Sequence, residues 1–339
     1  MKIIVDAMGG DRAPVAEVTG AVEAVRSSSE DVEVVLVGDE VRLNEELARL
    51  QAKGDPRLQL AHADERIEMS DDAMRQVRRK KGASITVATR LLKEGEGDGL
   101  VSAGNTGAVV ASALLLLGRL HGVRRPAIAT FVPTPAGGAI ILDVGANTDC
   151  TPQDLLQFAI MGEIYARKLL DRETPRVGLL SIGEESTKGN KLVQSTYPLL
   201  ATAGMNFVGN VEGRDIFRGE VDVVVCDGFV GNVVLKFSES MIHLIGSLFQ
   251  DLVGDSLRHQ LGASLMRPVL RRLVQHLDYE EYGGAPLLGV NGAVIIAHGS
   301  SSPKAIKNAI LVATRFARKR INDHIQRELQ GQYLGEVPA

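Results

Sequence analysis

The 339-residue chain has no tryptophan, 4% aromatic residues and only two cysteines. So few rings leave little material for base-stacking platforms or for aromatic shelves under sugars. Lys and Arg number 38 against 42 Asp and Glu, a formal charge of -4, so the basic excess of a phosphate-backbone binder is missing too. Nucleic acid is not expected as a partner. Cys150 and Cys226 follow no metal-ligand spacing and make no disulfide framework, which points to a reducing cytoplasm. No run approaches the ~20 apolar residues of a membrane span, and the opening MKIIVDAMGGD is too short in its apolar part for a secretory signal. Neither G-x-x-x-x-G-K-[ST] nor a G-x-G-x-x-G opening a βαβ unit occurs, so no nucleotide cofactor is expected.

What is present is a 45% hydrophobic composition arranged in short β-branched runs. Ten are read as strands: KIIVD, VEVVLVG, RLQLAHA, DGLVSA, AIATFV, AIILDV, RVGLLSI, MNFVG, VDVVVC and AVIIAHG. Segments of helical spacing lie between most of them, at residues 15–25, 41–50 and 155–169 for example. Alternation of this kind gives a three-layer α/β/α fold with a large, mixed but mostly parallel sheet, and the continuous apolar runs require cover on both faces. No linker or repeat divides residues 1–339, so one intertwined unit is expected. Within it, residues 246–278 read as an amphipathic helical hairpin, one helix over DSLRHQLGASLM and a second started by Pro268.

Glycine and polar clusters end strand after strand, at residues 6–11, 102–108, 143–149, 181–190, 209–215, 226–232 and 298–302. Seven clusters on one carboxyl edge of a parallel sheet would make an anion site, because glycines let backbone N–H groups approach a phosphate and helix N-termini point at it. Asp6, Gly9, Gly10, Asn147, Asn190 and Gly231 belong to these loops as phosphate-binding candidates. Asn105, Thr106 and Gly107, at the start of an apolar helix, form the proposed phosphate seat, with Lys188 as its cation. Asp6, Asp11, Asp143 and Asp227 sit in turn-forming sequences, and no metal is expected. Cys226, ending VDVVVC, is expected to be a core residue rather than a nucleophile.

The ordered set MKIIVDAMGGDRAP, SAGNTGA, LDVGAN, SIGEESTKGN, FVGNVEGRDI, CDGFVGNVVLK, YGGAPLLGVNG and AHGSS resembles the bacterial acyl-ACP:phosphate acyltransferase family, from residue 1 to about residue 320. The resemblance implies a soluble homodimer with an isopropylmalate-dehydrogenase-like and phosphotransacetylase-like fold. It also implies conversion of acyl-ACP and inorganic phosphate to acyl phosphate and ACP, with no cofactor, as the first step towards phosphatidic acid. The product would pass to a membrane glycerol-3-phosphate acyltransferase. For that chemistry Lys188, Asn232 and His298 are the catalytic candidates, Asn232 as oxyanion or phosphate donor and His298 as donor to the carbonyl or acid to the leaving thiolate. An acidic ACP and an anionic membrane both call for basic contacts, the membrane with apolar ones beside them; Arg258, Arg267, Arg271 and Arg272 of the hairpin, with Leu261 and Leu270 of its apolar stripes, are the candidates, and the RFARKR run at 315–320 is a further basic patch. The protein is expected in the cytoplasm, peripherally attached to the membrane. Alternatives are an actin-like kinase, whose β-turns would carry a Thr absent here, a nicotinamide-dependent dehydrogenase and a non-enzymatic scaffold.

Overall fold

β-branched residues fill most of the strands, and several strands are followed by a turn whose polar residue caps the next helix. The computed structural model describes residues 1–28, 32–254, 256–277 and 279–334. Its strands are β1 (Lys2–Asp6), β2 (Glu33–Gly38), β3 (Leu58–His62), β4 (Gly99–Ser102), β5 (Ala127–Val132), β6 (Ala139–Leu142), β7 (Val177–Leu180), β8 (Phe207–Val211), β9 (Val223–Val225), β10 (Ala285–Leu288) and β11 (Ala293–Ile296). The helices are α1 (Val15–Ser27), α2 (Glu40–Arg49), α3 (Ala73–Arg79), α4 (Ser84–Lys93), α5 (Thr106–Ser112), α6 (Pro152–Leu169), α7 (Lys191–Thr202), α8 (Gly213–Ile216), α9 (Gly228–Val253), α10 (Leu257–Leu277), α11 (Pro303–Arg318) and α12 (Ile321–Leu334). Asp39, Asp72, Asn105, Thr151, Asn190 and Ser302 each accept a first-turn N–H of the helix they precede.

All eleven strands join one sheet in the order β3-β2-β1-β4-β11-β10-β5-β6-β9-β7-β8. The strands β3, β2, β1, β4 and β11 run parallel, as do β6, β9, β7 and β8. Between the two blocks lie β10 and β5, antiparallel to each other and to their outer neighbours, so the blocks point in opposite directions. The seven glycine clusters therefore divide: residues 6–11, 102–108 and 298–302 leave one edge of the sheet, and the four others leave the opposite edge. This corrects the single-edge expectation, because strand periodicity carries no direction.

Two further expectations are corrected. The sheet has an eleventh strand, β10, hidden in the sequence by Pro286 and flanking glycines. Its first two residues pair with β11 and its last two with β5, so the missing proline N–H is tolerated between the two ladders. The expected helix break before Pro268 is also absent: α10 continues through it. Ser264, whose carbonyl the ring displaces, lies on an exposed stretch where water can take that acceptor. The hairpin is formed instead by α9 and α10.

Both faces are covered, with the core in three clusters. One runs along one face of both blocks, from Ile4 and Val37 through Ile128 and Ile141 to Val224, with Val230, Val234 and Leu235 of α9 packed on it. The opposite face is closed by α1, α2 and α11 on the first block, and by α6, α7 and α12 on the second.

Two buried acids organise the strand ends. Asp143, fully buried after β6, accepts from the backbone N–H groups of Ile128 (2.9 Å), Gly145 (3.2 Å), Ala146 (3.1 Å) and Asn147 (2.7 Å), and from Asn147 Nδ2 (2.9 Å). Gly231 of α9 rests on its backbone: a Cβ there would collide with the Asp143 carbonyl oxygen and stand 2.9 Å from Cys226 Sγ. Glu17 is 1% exposed on α1, beside Gly10, with Oε2 unpartnered among the described residues. Burial pushes its pKa up to about 7, and the charges of Asp6 and Asp11 add to the rise.

Gly231→Ala should cost about 3 kcal/mol, at the upper end for overpacking, because the contact is with backbone and cannot repack; a chemical-denaturation midpoint equal to wild type would contradict this. For Glu17, the folded state holds a proton that the unfolded chain releases near 4.5. The group's contribution is therefore most favourable below that pH and is lost as pH rises to about 7. Glu17→Gln should match wild-type stability near the lower pH and exceed it by up to about 3 kcal/mol above neutrality, measured as unfolding free energy against pH.

Candidate functional site

Where the two blocks meet, α9 crosses the face of the sheet and leaves a cleft of about 400 Å³. Ile128 and Thr130 of β5 with Val144 and Gly145 line one side, Asn232, Lys236 and Glu239 of α9 a second, and Thr106, Ile296, Ala297 and His298 a third, with Phe131 and Tyr282 completing it. The two rings stack at 4.3 Å between centroids, tilted by 36°. The cleft thus draws residues from both blocks although their strands end at opposite edges.

Asn232 stands over Gly145, where a Cβ would lie 3.8 Å from the side-chain amide. Its amide is exposed and makes no hydrogen bond among the described residues. One turn on, Lys236 Nζ lies 2.9 Å from Glu239 Oε2 and 3.3 Å from His298 Nε2. An ammonium has only donors, so this contact makes Nε2 an acceptor and puts the neutral ring's proton on Nδ1, which faces Ser300 Oγ at 2.8 Å. The Ser300 backbone N–H also approaches Nδ1, at 3.3 Å, and would favour the other tautomer, whereas the hydroxyl, which both donates and accepts, fits either. Amide, ammonium and imidazole converge on one partly apolar space, an arrangement able to hold an anion and to hydrogen-bond a developing oxyanion.

Two of the three expected catalytic residues, Asn232 and His298, are brought together here. Lys188 is not. It is exposed in the loop after β7, and β7 lies six strand spacings from β4, roughly 29 Å along the sheet. It therefore does not share a seat with Asn105, Thr106 and Gly107 within one chain. The cation of the cleft is Lys236, which the sequence reading passed over. The signal was present: Asn232, Lys236 and Glu239 are spaced i, i+4, i+7 on one face of a helix.

Most loop candidates support the site rather than face it. The Asn105 amide is fully engaged, Oδ1 capping α5 at Ala108 N (3.1 Å) and Nδ2 donating to the carbonyls of Met69 (2.9 Å) and Glu68 (3.3 Å). Thr106, next to it, is exposed and lines the cleft. Gly107 is exposed and packs close to Ala73. Asp6 is buried, accepts from Ser102 Oγ at 2.7 Å, and has its pKa raised by burial. Gly9 and Gly10 leave room for the Asp6 and Glu17 carboxylates. Asn147 Nδ2 bridges Asp143 and the Pro126 carbonyl (2.7 Å). Asn190 caps α7 at Val193 N and lines a separate apolar cavity of about 400 Å³ beside Leu179, Leu192 and Cys226. Asp227 accepts from Phe229 N and Val230 N at the start of α9. Cys226 is buried with its pKa raised by desolvation and by Asp143 and Asp227, so it is a neutral thiol in the core. Cys150 is pushed up to about 12, again chiefly by burial.

In the hairpin, Arg258, Leu261 and Arg267 are exposed and Leu270 is half-buried. Arg271 and Arg272 fall within α10, but their side chains lie outside the described residues. No helix among the described residues is long and apolar enough to cross a membrane.

The sequence pattern of the family described as Fatty acid synthesis protein matches residues 1–324. A phosphate acyltransferase of Heliobacterium modesticaldum is 52% identical over 332 residues, covering 98% of each chain. One from Moorella thermoacetica is 53% identical over 315 residues, covering 93% of this chain and 92% of its own. Among solved structures, the EutD phosphotransacetylase from Staphylococcus aureus superposes with a TM-score of 0.59 at 16% identity over 94% of both chains, a likeness of fold. By the extent of these matches the chain belongs to the Fatty acid synthesis protein family.

Proposed function

We propose that this acyltransferase joins inorganic phosphate to the acyl group of an acyl-ACP in the cleft between the two blocks. The observation that carries the reading is the convergence of Asn232, Lys236 and His298 on one space in a chain of this family. A phosphate oxygen attacks the thioester carbonyl carbon, the C–O bond forms and the C–S bond breaks. The proton of hydrogenphosphate ends on the departing sulfur, leaving acyl phosphate and the free carrier thiol. Phosphate is already a competent oxygen nucleophile, so the protein's task is to hold it against the carbonyl and to stabilise the tetrahedral oxyanion.

Lys236 supplies the charge that holds phosphate, in the role first sought for Lys188. Asn232 donates its amide to the oxyanion. His298, with Nε2 facing the Lys236 ammonium that holds phosphate, takes the phosphate proton at that nitrogen and passes it to sulfur. Thr106 adds a hydroxyl at the mouth, and the Asp6, Gly9, Gly10, Asn105 and Asn147 network keeps the surrounding loops in place.

The hairpin supports the remaining partners. Along α9, Phe229 (63% exposed), Phe237 (65%), Ile245 (62%) and Leu252 (76%) are uncovered in a band that winds around the helix, and on α10 Leu261 (67%) and Leu265 (84%) form an uncovered stripe. A patch this long asks for cover. The base of the α9 band is read as a homodimer surface. The far part of α10, with Arg258 and Arg267 beside its leucines, is read as resting on the anionic cytoplasmic face of the membrane. Acyl phosphate would then form near the glycerol-3-phosphate acyltransferase that consumes it.

Phosphate-dependent acyl hydroxamate, trapped with hydroxylamine, reports the reaction. Asn232→Ala, Lys236→Met and His298→Ala should each lower kcat by about 10²–10³, while Lys188→Ala should stay within about twofold of wild type; an equal loss in Lys188→Ala would return the cation's role to that residue. Leu261→Glu with Leu265→Glu should abolish co-sedimentation with anionic vesicles and spare turnover of soluble acyl-ACP. Undiminished sedimentation would remove α10 from the membrane contact.

A further inference from the structure

Residues 73–93 contain no Asp or Glu and seven Lys or Arg, in a chain whose total charge is -4. Five of those cations fall between residues 75 and 81, on and just after α3. Val77 turns into the core, while Arg75, Arg78, Arg79 and Lys81 are exposed and make no side-chain ion pair among the described residues. Arg75, Arg78 and Arg79 lie at i, i+3 and i+4, hence on one face. The acids that precede them are turned to local use: Asp72 caps α3, Asp71 pairs with Lys80 at 3.5 Å, and Glu68 pairs with Arg66 at 2.7 Å. Met69 (44% exposed) and Met74 (41%) add soft apolar surface to the same patch.

This patch adjoins the mouth of the cleft. A Cβ on Gly107 would stand 3.0 Å from Ala73 Cβ, and the Asn105 amide ties the chain just before α3 to the head of α5. Thr106, between them, lines the cleft. The seven residues of α3 span roughly 10 Å, so every cation on it lies close to the opening. The other basic run, 315–320, ends α11. That helix starts beside the cleft edge at Pro303 and is 16 residues long, which carries the run roughly 24 Å away, where Asp171 and Asp323 pair with Lys319 and Arg320.

We propose that the exposed basic face of α3 is where the acidic carrier protein docks, placing its thioester arm over Thr106 and into the cleft. This rests on the acyl-ACP reading above and names the surface that reading leaves open. Unpaired surface cations facing an acidic partner act over a Debye length of ~8 Å at physiological salt, so they govern encounter more than chemistry.

The test compares two acyl donors: acyl-ACP, and the neutral N-acetylcysteamine thioester of the same acid. In Arg75→Glu/Arg78→Glu/Arg79→Glu the apparent KM for acyl-ACP should rise at least tenfold at low salt, with kcat and turnover of the neutral thioester unchanged. The wild-type KM for acyl-ACP should itself rise with salt, and Arg315→Glu/Arg318→Glu should leave it within twofold. An unchanged KM in the α3 variant, or an equal rise in the α11 variant, would overturn the proposal. Should the triple variant also lose the neutral thioester, Arg79→Glu/Lys81→Glu at the end of α3 decides by the same readout. A wild-type protein that makes no phosphate-dependent product from either donor would refute the underlying reading instead.

Discussion

A carboxylate with no access to water must be satisfied by protein donors, and Asp143 meets that demand with five. Burial pushes its pKa up and the donors oppose the rise. Those donors come from β5 and from the loop after β6, and the Asp143 main chain is the surface on which Gly231 lies. One side chain therefore fixes the seam between the blocks and the entry of α9. Asn232 follows Gly231 directly, so its position over Gly145 is inherited from that packing. Lys236, one turn further, inherits its approach to His298 in the same way.

The cleft combines an amide and a hydroxyl with no side-chain hydrogen bond among the described residues, the linked pair Lys236 and His298, and a frame whose polar groups are nearly all engaged. Asp6, Asn105, Asn147 and Asp143 look like ligand residues in a linear reading, yet their oxygens and amides are occupied by neighbouring backbone and side-chain groups. Asn232 and Thr106 make no side-chain hydrogen bond among the described residues. The distinction matters energetically, because an engaged amide would have to break its own bonds to bind phosphate, whereas a free one exchanges only water.

The sequence made the layers legible because apolar periodicity reports burial directly: β1, β2, β9 and β11, and α1, α2 and α6, stand close to where their patterns place them. Direction was not legible. A β-branched run is the same pattern whichever way its strand points, so the opposition of the blocks emerged only with the pairing. Pro286 concealed β10, and Pro268 suggested a break that an exposed helix did not need. At the site, His298 was legible as a polar residue ending an apolar run, and Asn232 as one following the glycines after β9. Lys236 was not, because it lies inside a helix among apolar neighbours, and only its spacing from Asn232 marks it.

The position of β10 and β11 bears on how the protein is made. These are the last strands in the chain, yet they occupy the middle of the sheet, flanked by β4 and β5. During synthesis, the two blocks must wait for residues 285–296 before they can be joined. Until then β4 and β5 present open, apolar edges of the kind that recruit foreign strands. A ribosome stalling late would release a chain with the middle of the sheet unfilled.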